Sequence, residues 1–279
     1  MNKLVLGLMS IFMLTLAPYA PASMDNGPQT IILTSDNSLV LAGEVSGDTV
    51  GPIVSRAKKL DATLRRGVPL YLYMNTPGGS VQSGLELIEA LKGLGRPVHT
   101  ISQFSASMGF QIIENLNERY ILKTGILMSH RATGSFEGSF GGTTPSQLDS
   151  RIHLFVEITK ELDEITVART NGKQTLESYQ KAYANELWLT GAESLVAGYA
   201  DAIVKVKCDK SLSGTSMHST EFLGVPVTYE LDNCPLNSSP MNVKIGENAG
   251  VTKEYREMVK RQFISGYQMK SVTPLPMVY

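Results

Sequence analysis

Hydrophobic residues between about positions 39 and 206 fall into short apolar runs that alternate with segments of helical spacing. Leu39–Val45 alternates loosely, and Val68–Met74 is short, apolar and aromatic, so each predicts a strand. Between them, the apolar positions of Asp48–Arg66 repeat with the period of a helix. Further strands are predicted at Val98–Ser102, Arg119–Lys123, Ile126–Ser129 and Ala202–Val206. This alternation of strands and helices is typical of a layered α/β domain.

Several helices are predicted between these strands. Ser80 is a suitable cap for a helix that carries Val81, Leu85, Ile88 and Leu91 on one face. Further helices are predicted from Met108 to about Leu116, at Pro145–Asn171 and at Leu176–Ala184. A break at Trp188–Gly191 is followed by another short helix to Ala197. The apolar stripe of the Pro145–Asn171 helix is too continuous to stand alone in water, so we expect another surface to cover it.

The last seventy residues have a different character. Residues 209–250 are rich in Ser, Gly, Asn and Pro, and they contain one plausible strand at Val225–Leu231. Thr252–Ser265 has the spacing of an amphipathic helix. Its inward residues are predicted to be Tyr255, Met258, Val259 and Phe263. We therefore expect an extension that is largely irregular.

The N-terminus has the composition of a secretory signal. Lys3 precedes an apolar run, Leu4–Ala17, and the small-residue pattern Ala20-Pro21-Ala22 predicts cleavage before Ser23. The protein is then periplasmic or secreted. The alternative, an uncleaved anchor, needs a longer run, because a membrane span takes about 20 apolar residues. No later stretch of the sequence is long enough to cross a membrane.

The amino-acid composition limits the classes of function that this protein can have. The net charge is −1 and 18% of residues are charged, which is typical of a globular protein and gives no indication of nucleic-acid binding. The two cysteines, Cys208 and Cys234, are predicted to form a disulfide, since a lone pair in an exported protein most simply does so. Two thiols without a histidine cluster make a poor metal site, so no metal is predicted.

The candidate chemistry centres on the segment Phe104–Phe110, with the sequence FSASMGF. It places Ser107 between small residues and directly before a predicted helix. A helix start offers free backbone N–H groups that stabilise developing negative charge, and small neighbours let a substrate carbonyl approach. Small residues also allow close packing of helices, so this segment alone does not establish a nucleophile.

Three other elements complete a set for nucleophilic catalysis. A Pro-Gly-Gly turn, Pro77–Gly79, leaves a strand and offers N–H groups. His130 ends a strand and is a candidate base, and Glu186 precedes a Trp-Leu-Thr-Gly turn and is a candidate for orienting that base. Nucleophile, base, orienting acid and oxyanion donors are the parts that such a site requires.

These motifs resemble those of the Clp protease proteolytic subunit family, which has a crotonase-like fold. NTPGGSV at Asn75–Val81 is similar to the family's Asn-Ser-Pro-Gly-Gly-Ser-Val segment, and SASMG at Ser105–Gly109 to its Ala-Ala-Ser-Met-Gly segment. ILMSH at Ile126–His130 resembles the strand that leads into the family's catalytic histidine. Glu193 and GYAD at Gly198–Asp201 are similar to the glutamate and the Gly-x-x-Asp segment with which the family's pattern ends.

The resemblance implies a role for each site residue. Ser107 is the expected nucleophile and His130 the expected base, and the backbone N–H groups of Gly78 and Met108 are the expected oxyanion donors. Glu186 occupies the position of the family's catalytic aspartate, two residues before an aromatic residue, so this chain departs from the pattern by one methylene group. Serine hydrolases on other folds use glutamate in that role.

The resemblance also predicts how the chain is divided. We expect a signal peptide at residues 1–22, an irregular lead-in at 23–37, a catalytic domain of α/β crotonase-like fold with a helical handle at 38–207, and a C-terminal extension at 208–279. In the family, the segment equivalent to Pro145–Asn171 provides contacts that stack two rings. A ring-forming homo-oligomer is therefore expected, with a monomer covered by its own tail as the alternative.

The function expected from these observations is that of an exported serine endopeptidase. Its substrate would be a peptide or an unfolded protein, and it would need neither a cofactor nor a dedicated ATPase partner, because an exported protein meets no ATP supply. One alternative is a non-catalytic binding or scaffold protein that kept the fold. Another is a crotonase-type enzyme that acts on coenzyme A thioesters, which the export signal disfavours because such thioesters are intracellular.

Overall fold

The computed structural model describes residues 28–131, 145–246 and 252–271. The predicted signal peptide lies outside these residues, as does the glycine-rich segment Ser135–Gly142. The strands are β1 (Thr30–Leu33), β2 (Ser38–Ala42), β3 (Leu70–Thr76), β4 (Val98–Ala106), β5 (Arg119–Ser129), β6 (Leu187–Thr190), β7 (Ala202–Cys208), β8 (Thr215–Phe222), β9 (Val225–Asp232) and β10 (Met241–Ile245). The helices are α1 (Gly47–Thr63), α2 (Val81–Lys92), α3 (Met108–Asn115), α4 (Pro145–Ala168), α5 (Leu176–Tyr183), α6 (Gly191–Ala197) and α7 (Lys253–Ser271).

Seven strands form the main sheet, in the order β1-β7-β5-β4-β3-β2. These pairs are parallel, and β6 joins β5 as an antiparallel branch. The predicted α/β fold is confirmed. Because neighbouring strands run in one direction, their carboxyl ends meet at one edge of the sheet, which is where ligands bind in α/β folds.

The sheet has an apolar layer on each face. The larger layer joins β2, β3 and β4 to α1, α2 and α3, and it includes Leu41, Leu72 and Phe110, all fully buried. The smaller layer contains Leu33, Tyr73, Ile101 and Val204, together with Leu212 from the start of the extension. Burial of both faces explains why β3 is apolar from Leu70 to Met74 instead of alternating.

The structure differs from the sequence-based prediction at three places in this domain, one of which is Trp188–Thr190, predicted as part of a turn but observed in the strand β6. The lead-in is not irregular throughout, because β1 lies within it and pairs in parallel with β7, Ile31 opposite Val206. The two short strands predicted at 119–123 and 126–129 are one strand, β5. Its register against β4 shifts between Ile121 and Ile126, so the polar interruption in the sequence corresponds to an irregularity inside the strand.

The C-terminal extension is more regular than predicted. β8, β9 and β10 form a three-stranded antiparallel sheet, and the predicted strand at Val225–Leu231 is its central member. The predicted amphipathic helix is confirmed as α7, with Val259 and Phe263 buried against Val227 and Val243 of this sheet. Tyr255, which was predicted to face inward, is instead exposed. The extension therefore has an apolar core of its own.

A disulfide joins the two parts of the chain. Cys208 ends β7 and Cys234 follows β9, and their sulfurs are bonded with the Cα atoms 5.8 Å apart. The predicted Cys208–Cys234 disulfide is confirmed. It closes a loop that contains β8 and β9, so it fixes this hairpin to the end of a strand of the main sheet.

Removing this disulfide is expected to lower the free energy of unfolding by about 3.5 kcal/mol, because the unfolded chain is then no longer constrained by the closed loop. Urea unfolding of the Cys208→Ser/Cys234→Ser double variant measures the difference. Wild-type protein in a reducing agent is the control and should show the same loss. Equal stability of the variant and the oxidised wild type would contradict this expectation.

Candidate active site at the carboxyl edge of the sheet

The carboxyl ends of three adjacent strands bring the predicted site residues together. β4 ends at Ala106, which pairs with Met128 near the end of β5, and β3 ends at Thr76, which pairs with Ser105 of β4. Ser107 directly follows β4 and His130 directly follows β5. Parallel pairing therefore places two residues that are 23 positions apart in sequence at neighbouring strand ends.

Ser107 lies in a sharp junction between β4 and α3. Its backbone has φ 55° and ψ −121°, a conformation that non-glycine residues rarely adopt and that often marks functional sites. The junction is held by its N–H, which donates to the carbonyl of Met128 at 2.9 Å, and by its carbonyl, which accepts from Phe110 N at 3.0 Å. The hydroxyl makes no capping bond to α3, which leaves it available for chemistry.

The Pro-Gly-Gly turn lies directly against this junction. A Cβ atom on Gly78 would be 2.6 Å from the Cβ of Ser107 and 2.9 Å from the backbone nitrogen of Met108. Gly78 also has φ 96°, which favours glycine. Only glycine therefore lets the backbone of the turn approach the serine so closely.

Segment 43–45, which follows β2, holds the turn from its other side. Val45 N donates to the carbonyl of Gly78 at 2.8 Å, and Ser80 N donates to the carbonyl of Val45 at 2.8 Å. A Cβ atom on Gly79 would be 2.5 Å from that carbonyl oxygen, so this second glycine is required for the pairing. Gly78 thus allows the turn to approach Ser107, and Gly79 allows it to pair with Val45.

The two predicted oxyanion donors have different surroundings. Met108 is the first residue of α3, so its N–H has no acceptor within the helix. The N–H of Gly78 donates to the buried Oγ1 of Thr76 at 3.1 Å. The methyl group of Thr76 also lies 2.5 Å from the position that a Cβ atom on Gly109 would occupy. Thr76 was not a predicted site residue, although a hydroxyl two residues before the glycine was the signal available in the sequence.

Antiparallel pairing of β6 with β5 brings Glu186 and His130 to the same end of the sheet. Ser129 pairs with Leu187 and Met128 pairs with Trp188, and His130 follows β5 while Glu186 precedes β6. Among the described residues, no hydrogen bond or salt bridge joins the Glu186 carboxylate to the half-buried His130. The role of Glu186 as the orienting acid stays a prediction.

The carboxylate of Glu186 has a specific partner. Its Oε2 accepts a hydrogen bond from the indole Nε1–H of Trp188 at 2.9 Å. Glu186 is exposed and has φ 66°, so it lies in a turn just before β6 begins. The hydrogen bond links the candidate orienting acid to the strand that carries Trp188.

Asp201 is held at the opposite end of the sheet. It receives a salt bridge from Arg119 at 2.6 Å, and Arg119 is the first residue of β5. Burial alone would raise the pKa of Asp201, but the hydrogen bonds from Arg119 lower it overall. Since β5 has eleven residues, its two ends are roughly 30 Å apart. Asp201 is therefore structural, as the sequence indicated.

A layer of buried polar side chains lies behind the site. The hydroxyls of Ser129 and Tyr179 are hydrogen-bonded at 2.8 Å, and Gln111 Nε2 donates to the same tyrosine at 3.4 Å. Burial raises the pKa of Tyr179. These hydrogen bonds connect Ser129, the residue before His130, to Tyr179 of α5 and, through it, to Gln111 of α3. The sequence gave no signal for it, because the three residues come from distant elements.

A serine between a glycine turn and a helix start, with a histidine on the next strand end, is an arrangement suited to nucleophilic hydrolysis. The chain matches the Clp protease family over residues 29–207, which is well over half of its length. The chain therefore belongs to the Clp protease family, and the predicted resemblance is confirmed. Membership of this family supports the assignment of the chain as a peptidase. The C-terminal extension lies outside the matched region.

Curated relatives agree with this assignment. The ATP-dependent Clp protease proteolytic subunit of Streptococcus agalactiae serotype V is 29% identical over 176 residues, covering 62% of this chain and 87% of that protein. The same subunit of Streptococcus pyogenes serotype M5 is 28% identical over 176 residues with the same coverage. That of Streptococcus gordonii is 29% identical over 175 residues, covering 62% of this chain and 86% of that protein.

Proposed function

We propose that this protein is a serine endopeptidase that hydrolyses peptide bonds through Ser107, His130 and Glu186. The observation that carries the proposal is the strained serine junction, which is pressed between the glycine turn and the end of β5. Strain of this kind costs about 1–3 kcal/mol and persists only where the surrounding structure enforces it. Packing alone gives no reason to keep a serine in this conformation.

The catalytic steps follow from the positions of the groups. His130 takes the proton from the hydroxyl of Ser107 as the oxygen attacks the peptide carbonyl. The resulting oxyanion accepts hydrogen bonds from the N–H groups of Met108 and Gly78. For Gly78, the substrate oxygen then takes the place of the Thr76 hydroxyl. His130 protonates the leaving amine, and water hydrolyses the acyl-enzyme by the same steps in reverse.

Labelling with a fluorophosphonate probe tests the proposal directly. The probe forms a covalent bond with an activated serine, and peptide mapping should locate the label on Ser107. A non-catalytic scaffold protein would not be labelled. A crotonase-type enzyme that acts on coenzyme A thioesters would use the oxyanion donors without activating Ser107, so it too would leave the probe unreacted.

Replacing Glu186 by glutamine is expected to lower turnover while the fold stays intact, because the amide no longer stabilises the charged form of His130. Loss of the equivalent group costs about 10⁴ in a serine protease, and we expect less for a glutamate with its longer arm. A peptide assay that compares Glu186→Gln with Asp149→Asn and Glu137→Gln measures this. Asp149 is exposed near the start of α4, and Glu137 lies outside the described residues.

Two outcomes of this comparison would change the assignment. Near-wild-type turnover in Glu186→Gln together with collapse in one of the other variants means that the third member is another acid. Full activity in all three variants means that Ser107 and His130 work as a dyad.

We also propose that the mature protein is exported and begins at Ser23. The disulfide supports export, because such bonds persist in oxidising compartments. None of the described helices is long and apolar enough to cross a bilayer. N-terminal sequencing of the protein from the periplasm or the medium would identify the cleavage site, and retention of residues 1–22 in a membrane fraction would exclude cleavage.

A ring-forming oligomer is proposed from the surface of α4. Its first half exposes Ile152, Leu154 and Val156 by 44%, 60% and 53%. Leu162, nearer the end of the helix, is buried. The described part of the extension leaves these three side chains exposed, which favours a second copy of the chain as the covering surface. Light scattering on the mature protein at working concentration tests this, and a monomer excludes the ring.

A further inference from the structure

The backbone of Glu186 is held by a hydrogen bond from its N–H to the carbonyl of Tyr183 at 3.1 Å, but its side chain extends from an exposed turn. The residue is exposed, it precedes β6, and its positive φ places it in a turn. A glutamate side chain also has one more rotatable bond than an aspartate, and fixing it costs side-chain entropy. An orienting acid with these properties needs a second group to restrict it.

Trp188 is well placed to supply that restriction. Its backbone pairs with Met128 in the β5–β6 ladder, and its ring stacks on Phe104 with centroids 6.4 Å apart and planes 23° apart. Phe104, Ala106 and Met128 are buried in one small apolar cluster, against which Trp188 packs. The indole is thus attached to the same two strands that carry Ser107 and His130.

We propose that Trp188 is a positioning residue for the reaction, and that its indole N–H fixes the carboxylate of Glu186 so that the longer side chain can serve His130. Oε2 accepts the indole hydrogen bond at 2.9 Å, and Oε1 is the oxygen that we assign to the histidine. The inference rests on the proposed function and identifies a residue that acts through Glu186 without touching the substrate.

Trp188→Phe is expected to lower kcat about tenfold and to leave KM unchanged, because it removes one hydrogen bond to a charged group and keeps an aromatic ring on Phe104. Thermal unfolding of the variant separates this effect from a loss of stability.

A double-mutant cycle shows whether Trp188 acts through Glu186. In the Glu186→Gln background, the additional Trp188→Phe change should have little effect on kcat, because the carboxylate that it positions is already gone. If instead the two changes lower kcat independently, so that their fold-losses multiply in the double variant, Trp188 only supports the fold. That result would overturn the inference. An unchanged or increased kcat in Trp188→Phe alone would do the same.

The chain contains a single tryptophan, which allows a test on the wild-type protein. Its one indole N–H resonance in a ¹⁵N-correlated NMR spectrum should shift as the Glu186 carboxylate is protonated in acid. The shift should be absent in Glu186→Gln and kept in Glu193→Gln, a matched acid whose carboxylate instead accepts from Thr190. This readout needs no activity and no folded Trp188 variant.

The outcomes distinguish this inference from the proposed function. If the wild type is not labelled by fluorophosphonate, the serine peptidase proposal fails whatever the indole does. If the wild type is labelled but the indole resonance ignores the state of Glu186, the hydrogen bond is absent and only the inference about Trp188 fails.

Discussion

Replacement of Ser107 by alanine is expected to abolish peptide hydrolysis and fluorophosphonate labelling, with a loss of about 10⁴-fold or more in kcat. Alanine removes the oxygen that forms the acyl-enzyme and leaves the helix start unchanged. The hydroxyl makes no capping bond, so its removal takes no stabilising contact from α3. The assay compares turnover of a peptide substrate by purified wild type and variant at matched concentration.

The controls for this prediction are stability and a neighbouring serine. The unfolding transition of Ser107→Ala should coincide with that of the wild type. Ser105→Ala removes a buried hydroxyl two residues earlier, whose partner is Ser102 at 2.7 Å, so it should cost stability but retain labelling at Ser107. Unchanged hydrolysis by purified Ser107→Ala would disprove the mechanism.

Replacement of Gly78 by alanine is expected to have the second largest effect, a loss of about 10²–10³-fold in kcat. The added Cβ would meet the Cβ of Ser107 and the carbonyl oxygen of Ala106, both at 2.6 Å. These are atoms of the serine junction itself, so the turn must move away from it. The N–H of Gly78 then no longer points at the position of the oxyanion.

Gly67→Ala is the matched control for this change. Gly67 has φ 81°, close to the 96° of Gly78, but a Cβ there meets no atom within 4 Å. Both variants carry the backbone strain of alanine at positive φ, about 1–2 kcal/mol, so both should lose some stability. Only Gly78→Ala should lose turnover. Equal activity in the two variants would show that the turn contributes no oxyanion donor.

Local patterns in the sequence predicted the catalytic domain well. β3 was predicted to within two residues at each end, and β4 was predicted correctly at its start but ends four residues later, at Ala106. The cap at Ser80 was predicted, and Ser80 does accept from Ser83 N. These features depend on residues within a few positions of one another, which is the distance over which periodicity and capping act. The motifs at Ser107 and His130 could be placed at strand ends for the same reason.

The extension shows where such patterns fail. β8 is exposed along Thr215–Glu221, so its sequence has no buried face and no hydrophobic alternation to detect. What forms it is pairing with β9 through the turn at Leu223-Gly224. α7, by contrast, buries Val259 and Phe263 on one face and could be predicted from spacing alone.

The sequence by itself identified the candidate nucleophile, base and glycine turn and predicted that the first two follow strands, because each motif is recognised locally. Only the tertiary structure decided which strand ends are neighbours. The register of β5 against β6 brings Glu186 and His130 to the same end of the ladder, and the length of β5 separates Asp201 from that end. Register is a property of two strands that are far apart in the chain, and a shift of one residue would turn every side chain to the other face.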